Sequence, residues 1–131
     1  MDLLTEHIRN FNQSFIRGPM YSFTVNLIKN NFITTNGTKE WDTHTHIKTN
    51  NYSEAVEIVA NTLITEPYKK AFISFMDREK LIANFCGIDE TRILNYDRKL
   101  NGKIDKIRMI YHIFKIPNSD DIWAYVNISK A

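Results

Sequence analysis

The residues best suited by type and spacing to chemistry are the two histidines in the run DTHTHI. Asp42, His44 and His46 alternate, so a strand here would direct all three side chains to one face. Two histidines at that spacing can chelate Zn²⁺. The chain has only four histidines and one cysteine, however, and the others lie far away in the sequence. We therefore predict no metal and no cofactor, and His44 and His46 are the candidate ligands in the alternative case.

Other catalytic patterns are weak. The four glycines are scattered, so no glycine-rich phosphate loop is present. Serines, histidines and aspartates occur without a local signature that would group them as a triad. Cys86 has apolar neighbours and no adjacent base to activate it as a nucleophile. We predict no catalytic residues and a protein that is not an enzyme.

Composition is typical of a small globular protein. The 131 residues are 43% hydrophobic and 24% charged, with a net charge of +2. A single cysteine rules out an intrachain disulfide, and no apolar run approaches the length of a membrane span, so we predict a cytoplasmic protein. The abundance of isoleucine, asparagine and lysine favours an AT-rich genome and a phage or mobile-element origin.

Hydrophobic periodicity predicts an α+β protein with two parts, or one compact domain that includes both. Residues 1–50 are expected to form a helix over 2–16 and a β-hairpin from 20–35 and 39–49, with its turn at Asn36–Gly37. Residues 51–131 are expected to form a second module, in which Asn51 or Ser53 caps the first helix. Its predicted elements, in order, are helix 53–65, strand 70–75, helices 77–86 and 89–100, and strands 106–116 and 122–129. Gly102 is expected to take a positive φ directly after helix 89–100.

Two of these helices carry a motif, in the stretch LIANFCGIDETRILNYDRKL. Ala83 is a small residue where a second helix would cross the first, Gly87 suits a turn with positive φ, and Ile93 would point into the shared core. This pattern resembles the helix-turn-helix family of DNA-binding domains. With its flanking elements, the segment over about residues 53–129 looks like a winged helix, in which the C-terminal hairpin forms the wing.

The resemblance implies a function in transcription regulation, with double-stranded DNA as the partner. In that family, the N-terminal part of the second helix enters the major groove. Bases would then be contacted by Thr91, Arg92 and Asn95, and phosphates by Arg98, Lys99, Lys103 and Lys106.

Acidic residues favour an alternative. Glu90 would project toward the duplex, and the tip of the wing carries Asp120 and Asp121 without a basic residue. The alternative is a non-enzymatic inhibitor or adaptor that binds a host protein. A homodimer is a further expectation, because small DNA readers often double their contacts through two-fold symmetry.

Overall fold

The centre of the fold is a five-stranded antiparallel sheet. The computed structural model describes residues 21–36, 49–100 and 102–131. Its strands are β1 (Tyr21–Asn26), β2 (Asn31–Asn36), β3 (Glu90–Leu100), β4 (Lys103–Lys115) and β5 (Ile122–Lys130). They lie side by side in the order β2-β1-β5-β4-β3, so the first and last strands of the chain's sheet are neighbours. Strands on both sides of residue 50, the predicted module boundary, therefore share one sheet.

The strand β1 lies inside the sheet and is buried on both faces. Tyr21, Phe23 and Val25 point to one face, and Ser22 and Thr24 point to the other, yet all are buried. The chain turns back into β2 immediately after β1. Asn30 takes a positive φ of 57° there, and the Asn26 side chain accepts a hydrogen bond from the Lys29 backbone. This hairpin is thus closed well before the Asn36–Gly37 turn predicted from sequence.

Three helices connect β2 to β3 in the described chain: α1 (Tyr52–Thr62), α2 (Glu66–Met76) and α3 (Arg78–Asn84). Asn51 caps α1, because its side chain accepts a hydrogen bond from the Glu54 backbone at 2.8 Å. Pro67 lies in the first turn of α2, where its missing N–H has no intrahelical partner to lose. Asp77 ends α2 and caps α3 by accepting from two backbone N–H groups. Sharp caps therefore divide this segment into short helices.

The helices pack on one face of the sheet, here called the inner face. Alternation along each strand supplies the sheet side of the core, and the apolar stripe of α1 supplies much of the other side. Tyr96 of β3 closes the core toward the sheet edge, where its ring meets Phe72 of α2 edge-on. The buried core includes Phe23, Val25, Tyr52, Ala55, Val59, Phe72, Met76, Leu81, Ile107, Met109, Tyr111, Ile113, Val126 and Ile128.

The predicted winged helix is wrong at its central element. Residues 89–100 were predicted as a helix and form β3, which pairs with β4 in unbroken register from Glu90↔Ile113 to Leu100↔Lys103. In addition, the backbone N–H of Lys99 on β3 donates a hydrogen bond to the carbonyl of Leu63 at the end of α1. Gly102 has the positive φ expected for it, at 76°, but it serves a hairpin between two strands and does not end a helix.

A second error concerns the segment KKAFISF, predicted as a strand over 70–75. It lies inside α2, where Phe72 and Met76 are spaced to share the buried side. By contrast, the predicted helix 53–65 and the strands 106–116 and 122–129 are confirmed as α1, β4 and β5. The predicted helix 77–86 is present as the shorter α3. The predicted helix 2–16 and residues 39–48 of the predicted strand 39–49 lie outside the described residues.

Candidate functional site

The residues predicted to read DNA do not share one surface. Because β3 is a strand, its side chains alternate between faces. Thr91, Asn95 and Lys99 project from the outer face and are exposed, whereas Arg92 and Arg98 belong to the inner face. The recognition helix on which the prediction depended does not exist. Lys103 and Lys106 are exposed on β4.

Arg98 is part of the structural interior. Its side chain is 4% exposed, and Nη2 lies 3.3 Å from Oδ2 of Asp105 on the paired strand. Burial opposes ionisation of Asp105, but the hydrogen bond from Arg98 and the charges of Lys103, Lys130 and Arg98 together hold its pKa below the usual range. Arg92 is likewise occupied, since Nη2 lies 3.1 Å from Oε1 of Glu90. Neither guanidinium extends freely into solvent as a base-reading side chain would.

Of the candidate metal ligands and the candidate nucleophile, the structure describes only the nucleophile, Cys86. His44 and His46 lie outside the described residues. Across residues 21–36, 49–100 and 102–131, no group of three or more histidine, cysteine, aspartate or glutamate residues could hold a metal ion. Cys86 is an exposed free thiol, not the buried residue that a helix-turn-helix would require.

A cleft on the helical side is the strongest candidate site in the described chain. It has a volume of about 430 Å³ and lies between α1 and the junction of α2 with α3. This volume is within the range of sites for small molecules. Its lining combines apolar and charged side chains: Ser53, Val56, Glu57, Asn61, Ile73, Met76, Asp77, Arg78 and Glu79.

The charge of the cleft is unequal. Glu57, Asp77 and Glu79 contribute carboxylates, and Arg78 contributes a guanidinium. One oxygen of Asp77 is already engaged, because it accepts the N–H groups of Glu79 and Lys80. Glu57 and Glu79 are exposed and line the cleft together with apolar residues that include Ile73. The arrangement suits a molecule with an apolar body and a positive group.

Met76, one wall of the cleft, is hydrogen-bonded into the core. The hydroxyl of Tyr52 donates to the Met76 carbonyl at 2.8 Å and lies 2.9 Å from the hydroxyl of Tyr111 on β4. Since a hydroxyl has one proton, Tyr111 donates to Tyr52 when Tyr52 donates to Met76. Burial raises the pKa of Tyr52, and the neighbouring Tyr111 raises it further; burial also raises the pKa of Tyr111. Both phenols are therefore neutral, and together they connect the α2 end to the sheet.

Arg78, which also lines the cleft, is hydrogen-bonded to the turn between β1 and β2. Its guanidinium donates to the backbone carbonyls of Leu27 and Ile28, the latter at 3.0 Å. These carbonyls belong to the turn between β1 and β2. The helix junction that borders the cleft is thus hydrogen-bonded directly to the β1–β2 turn through Arg78, and it is connected to β4 through Tyr52 of α1.

Sequence reasoning did not identify this arrangement. Tyr52 and Tyr111 are 59 residues apart, so no local pattern in the sequence connects them. Arg78 and Leu27 are 51 residues apart. A partial signal was present in Asp77, a strong helix N-cap directly after an apolar run, which marks a helix junction.

Comparisons with known proteins support the fold and correct the family. No protein-family model matches the chain, and no curated protein matches it. Among solved structures, it is similar to the PAS domain of BvgS from Bordetella pertussis, with a TM-score of 0.54 and 9% sequence identity over 99% of this chain and 88% of that chain. A likeness at this identity concerns the fold alone. The chain therefore has a PAS-like fold, and the resemblance to winged-helix DNA-binding proteins, with the DNA-binding regulator inferred from it, is wrong. The comparisons also give no support to the phage origin predicted from composition or to the host-protein adaptor predicted from the acidic residues.

Proposed function

We propose that this chain is a non-enzymatic sensory domain that binds a small amphipathic cation in the cleft between α1 and the α2–α3 junction. The observation that carries the proposal is that two neighbours in the cleft lining are both connected to the sheet. Met76 is connected through Tyr52 of α1 to Tyr111 of β4, and Arg78 is hydrogen-bonded directly to the β1–β2 turn. The PAS-like fold supports a sensory role, since this is a fold of sensory and signalling domains.

The chemistry of the lining supports the ligand class. An apolar body would lie against Val56 and Ile73, and a positive group would lie near Glu57 and Glu79. Burial of the apolar body supplies most of the free energy, at about 25 cal/mol per Å² removed from water. The carboxylates supply selectivity for charge, because an anion of the same shape would meet like charges.

Signal transmission follows from the connections of the cleft wall. A ligand that moves the α2–α3 junction changes the bond between Met76 and Tyr52, and through it the position of Tyr111. It also changes the bonds from Arg78 to the β1–β2 turn. Ligand binding shifts the domain between two arrangements only to the extent that it binds them with different affinity.

The test is an NMR titration with three probes of one shape. Phenethylamine, 3-phenylpropionate and 2-phenylethanol differ mainly in charge. We expect phenethylamine to shift the amide resonances of Val56, Ile73 and Met76 in saturable fashion, with smaller shifts at Leu27 and Tyr111. The neutral 2-phenylethanol should bind more weakly than the amine, and 3-phenylpropionate should bind most weakly of the three. Equal responses to the amine and the carboxylate, or none to the amine, would contradict the proposal.

Matched variants locate the charge contribution. Glu57→Gln should weaken phenethylamine binding by about two- to fivefold, the effect of an exposed ion pair worth about 0.5–1 kcal/mol. Glu54→Gln is the control, because Glu54 is an exposed glutamate on the same helix but does not line the cleft. If the two variants weaken binding equally, the ligand does not bind at Glu57.

A cytoplasmic location is part of the proposal. It is supported by the single cysteine, Cys86, which is an exposed free thiol and therefore suited to a reducing compartment. Within the described ranges, no helix has the length and apolar character needed to span a membrane.

A further inference from the structure

The edge of β3 that points away from β4 is hydrogen-bonded to other described residues along only part of its length. β3 is the last strand of the sheet order, and β4 pairs with its other side. At its C-terminal end, the segment 63–65 lies against it: Thr65 N–H donates to Asp97, and Lys99 N–H donates to Leu63. From Glu90 to Tyr96, no backbone hydrogen bond from the described chain meets this edge. Seven of the eleven residues of β3 thus lie along an edge that the described residues leave open to pairing.

The direction of each backbone group along this edge follows from the bonds at 97 and 99. The carbonyl of Asp97 and the N–H of Lys99 point away from β4, and in an antiparallel ladder the direction alternates from residue to residue. The register of β3 with β4 is regular throughout, so the alternation is unbroken. Thr91, Ile93 and Asn95 therefore direct both N–H and C=O groups outward, and their side chains are exposed.

We propose that two copies of this chain pair antiparallel through the β3 segment Glu90–Tyr96, about a two-fold axis at Ile93. In that register Ile93 lies opposite Ile93 of the second copy, and Thr91 lies opposite Asn95. Each of these pairs exchanges two N–H···O bonds, because outward-facing residues meet outward-facing residues. The two five-stranded sheets become one continuous sheet.

The side chains favour this occupant. Ile93 is 56% exposed on the outer face, beside Ile110 of β4, and the axis would place it next to its own symmetry mate. Identical apolar residues at a two-fold axis are self-complementary. The nearest charges on the segment, Glu90 and Arg92, already neutralise each other at 3.1 Å.

The length of the open edge supports a second copy over an unrelated peptide. Ile93 is the midpoint of Glu90–Tyr96, so two copies pair over the whole open stretch without either meeting the covered residues at 97–99. The stretch also lacks proline and lysine, which commonly protect exposed edges from pairing.

Disulfide trapping tests the position of the axis. Ile93→Cys is made with Cys86→Ser, so that the chain has one thiol. The Cα atoms of a directly opposed, hydrogen-bonded pair are about 5.5 Å apart, which a disulfide can span. We expect oxidised glutathione to convert this variant largely to a covalent dimer. Ile104→Cys in the same background is the control, since Ile104 is 58% exposed on β4 but lies away from the axis.

A proline substitution tests the backbone pairing. Ile93→Pro removes an N–H that points outward, so the bonds between β3 and β4 are kept. By sedimentation velocity, we expect the unsubstituted chain to show concentration-dependent dimers and Ile93→Pro to be monomeric, with an unchanged far-UV circular dichroism spectrum. Ile104→Asp should dimerise like the unsubstituted chain.

Three results would overturn the proposal. The first is an unsubstituted chain that stays monomeric while Ile93→Cys forms no covalent dimer. The second is a dimer that persists in Ile93→Pro, and the third is equal trapping of Ile104→Cys and Ile93→Cys. If Ile93→Pro loses its circular dichroism spectrum, Ile93→Asp replaces it as the disrupting variant, with Ile104→Asp as its matched control.

Discussion

The buried hydroxyl chain from Tyr111 through Tyr52 to the Met76 carbonyl makes a sharp prediction about stability. Tyr52 is central, because its hydroxyl has a partner on each side at 2.8 and 2.9 Å. Tyr111 is terminal. Replacing either tyrosine with phenylalanine removes only an oxygen and keeps the ring packing, including the edge-on contact between Phe75 and Tyr111.

The two single substitutions should differ in magnitude. Tyr111→Phe removes one hydrogen bond and leaves Tyr52 donating to Met76, so the free energy of unfolding should fall by about 1 kcal/mol. Tyr52→Phe leaves both the Tyr111 hydroxyl and the Met76 carbonyl buried without this partner. Each such group costs about 1–3 kcal/mol, so a loss of about 3 kcal/mol is expected.

The double substitution tests whether the two tyrosines are coupled, because it shows how Tyr111→Phe changes the free energy of unfolding once Tyr52 has lost its hydroxyl. In the Tyr52→Phe background, Tyr111→Phe removes a hydroxyl that has lost its partner, so it should be neutral or stabilising. The coupling energy is therefore at least about 1 kcal/mol and the effects are not additive. Urea unfolding followed by circular dichroism measures all four proteins. Additive losses, with Tyr111→Phe equally harmful in both backgrounds, would refute the hydrogen-bond chain.

Three further predictions concern the sheet and its turns. Asp105→Asn should flatten the acid side of the stability profile: the folded-state pKa of Asp105 is depressed by Arg98 and its neighbours, so its contribution is present above the unfolded value of 3.8 and is lost as the pH falls through the folded value. Urea midpoints measured from pH 6 down to pH 3 check this, and an unchanged slope would contradict it. Gly102→Ala should cost about 1 kcal/mol, because φ is +76° and only strain opposes a side chain there, whereas Gly102→Asn should cost less; equal losses in thermal unfolding would point to another cause. Asn51→Ala should cost about 1 kcal/mol by removing the cap of α1, with the exposed Asn61→Ala as the neutral comparison in the same assay.

Local rules in the sequence predicted those elements whose signals are local. Asn51 followed by an apolar stripe predicted α1, and alternating apolar residues around a polar tip predicted β4 and β5. The positive φ values of Gly87 and Gly102 were also expected from the residue type. At these positions, capping, alternation and glycine geometry act within a few residues of one another.

Residues 89–100 show where local rules end. Ile88, Ile93 and Tyr96 have spacings that a helix can use, and Asp89 resembles a helix cap, so the segment is compatible with a helix. Long-range pairing with β4 decides the outcome, since a strand here satisfies its backbone through β4 and buries Leu94 and Tyr96 on the inner face. Because residues 90–100 form a strand, the segment predicted to be a DNA-recognition helix is the edge strand of the sheet.

The sequence by itself determined the capped helix α1, the C-terminal hairpin and the turns that need glycine. Tertiary structure alone decided the sheet order, the burial of β1 on both faces, and the meeting of Tyr52, Met76 and Tyr111 beside the cleft. The physical reason is that caps and turns are stabilised by neighbouring residues, whereas strand pairing and buried polar contacts are stabilised by partners that only the folded chain brings together.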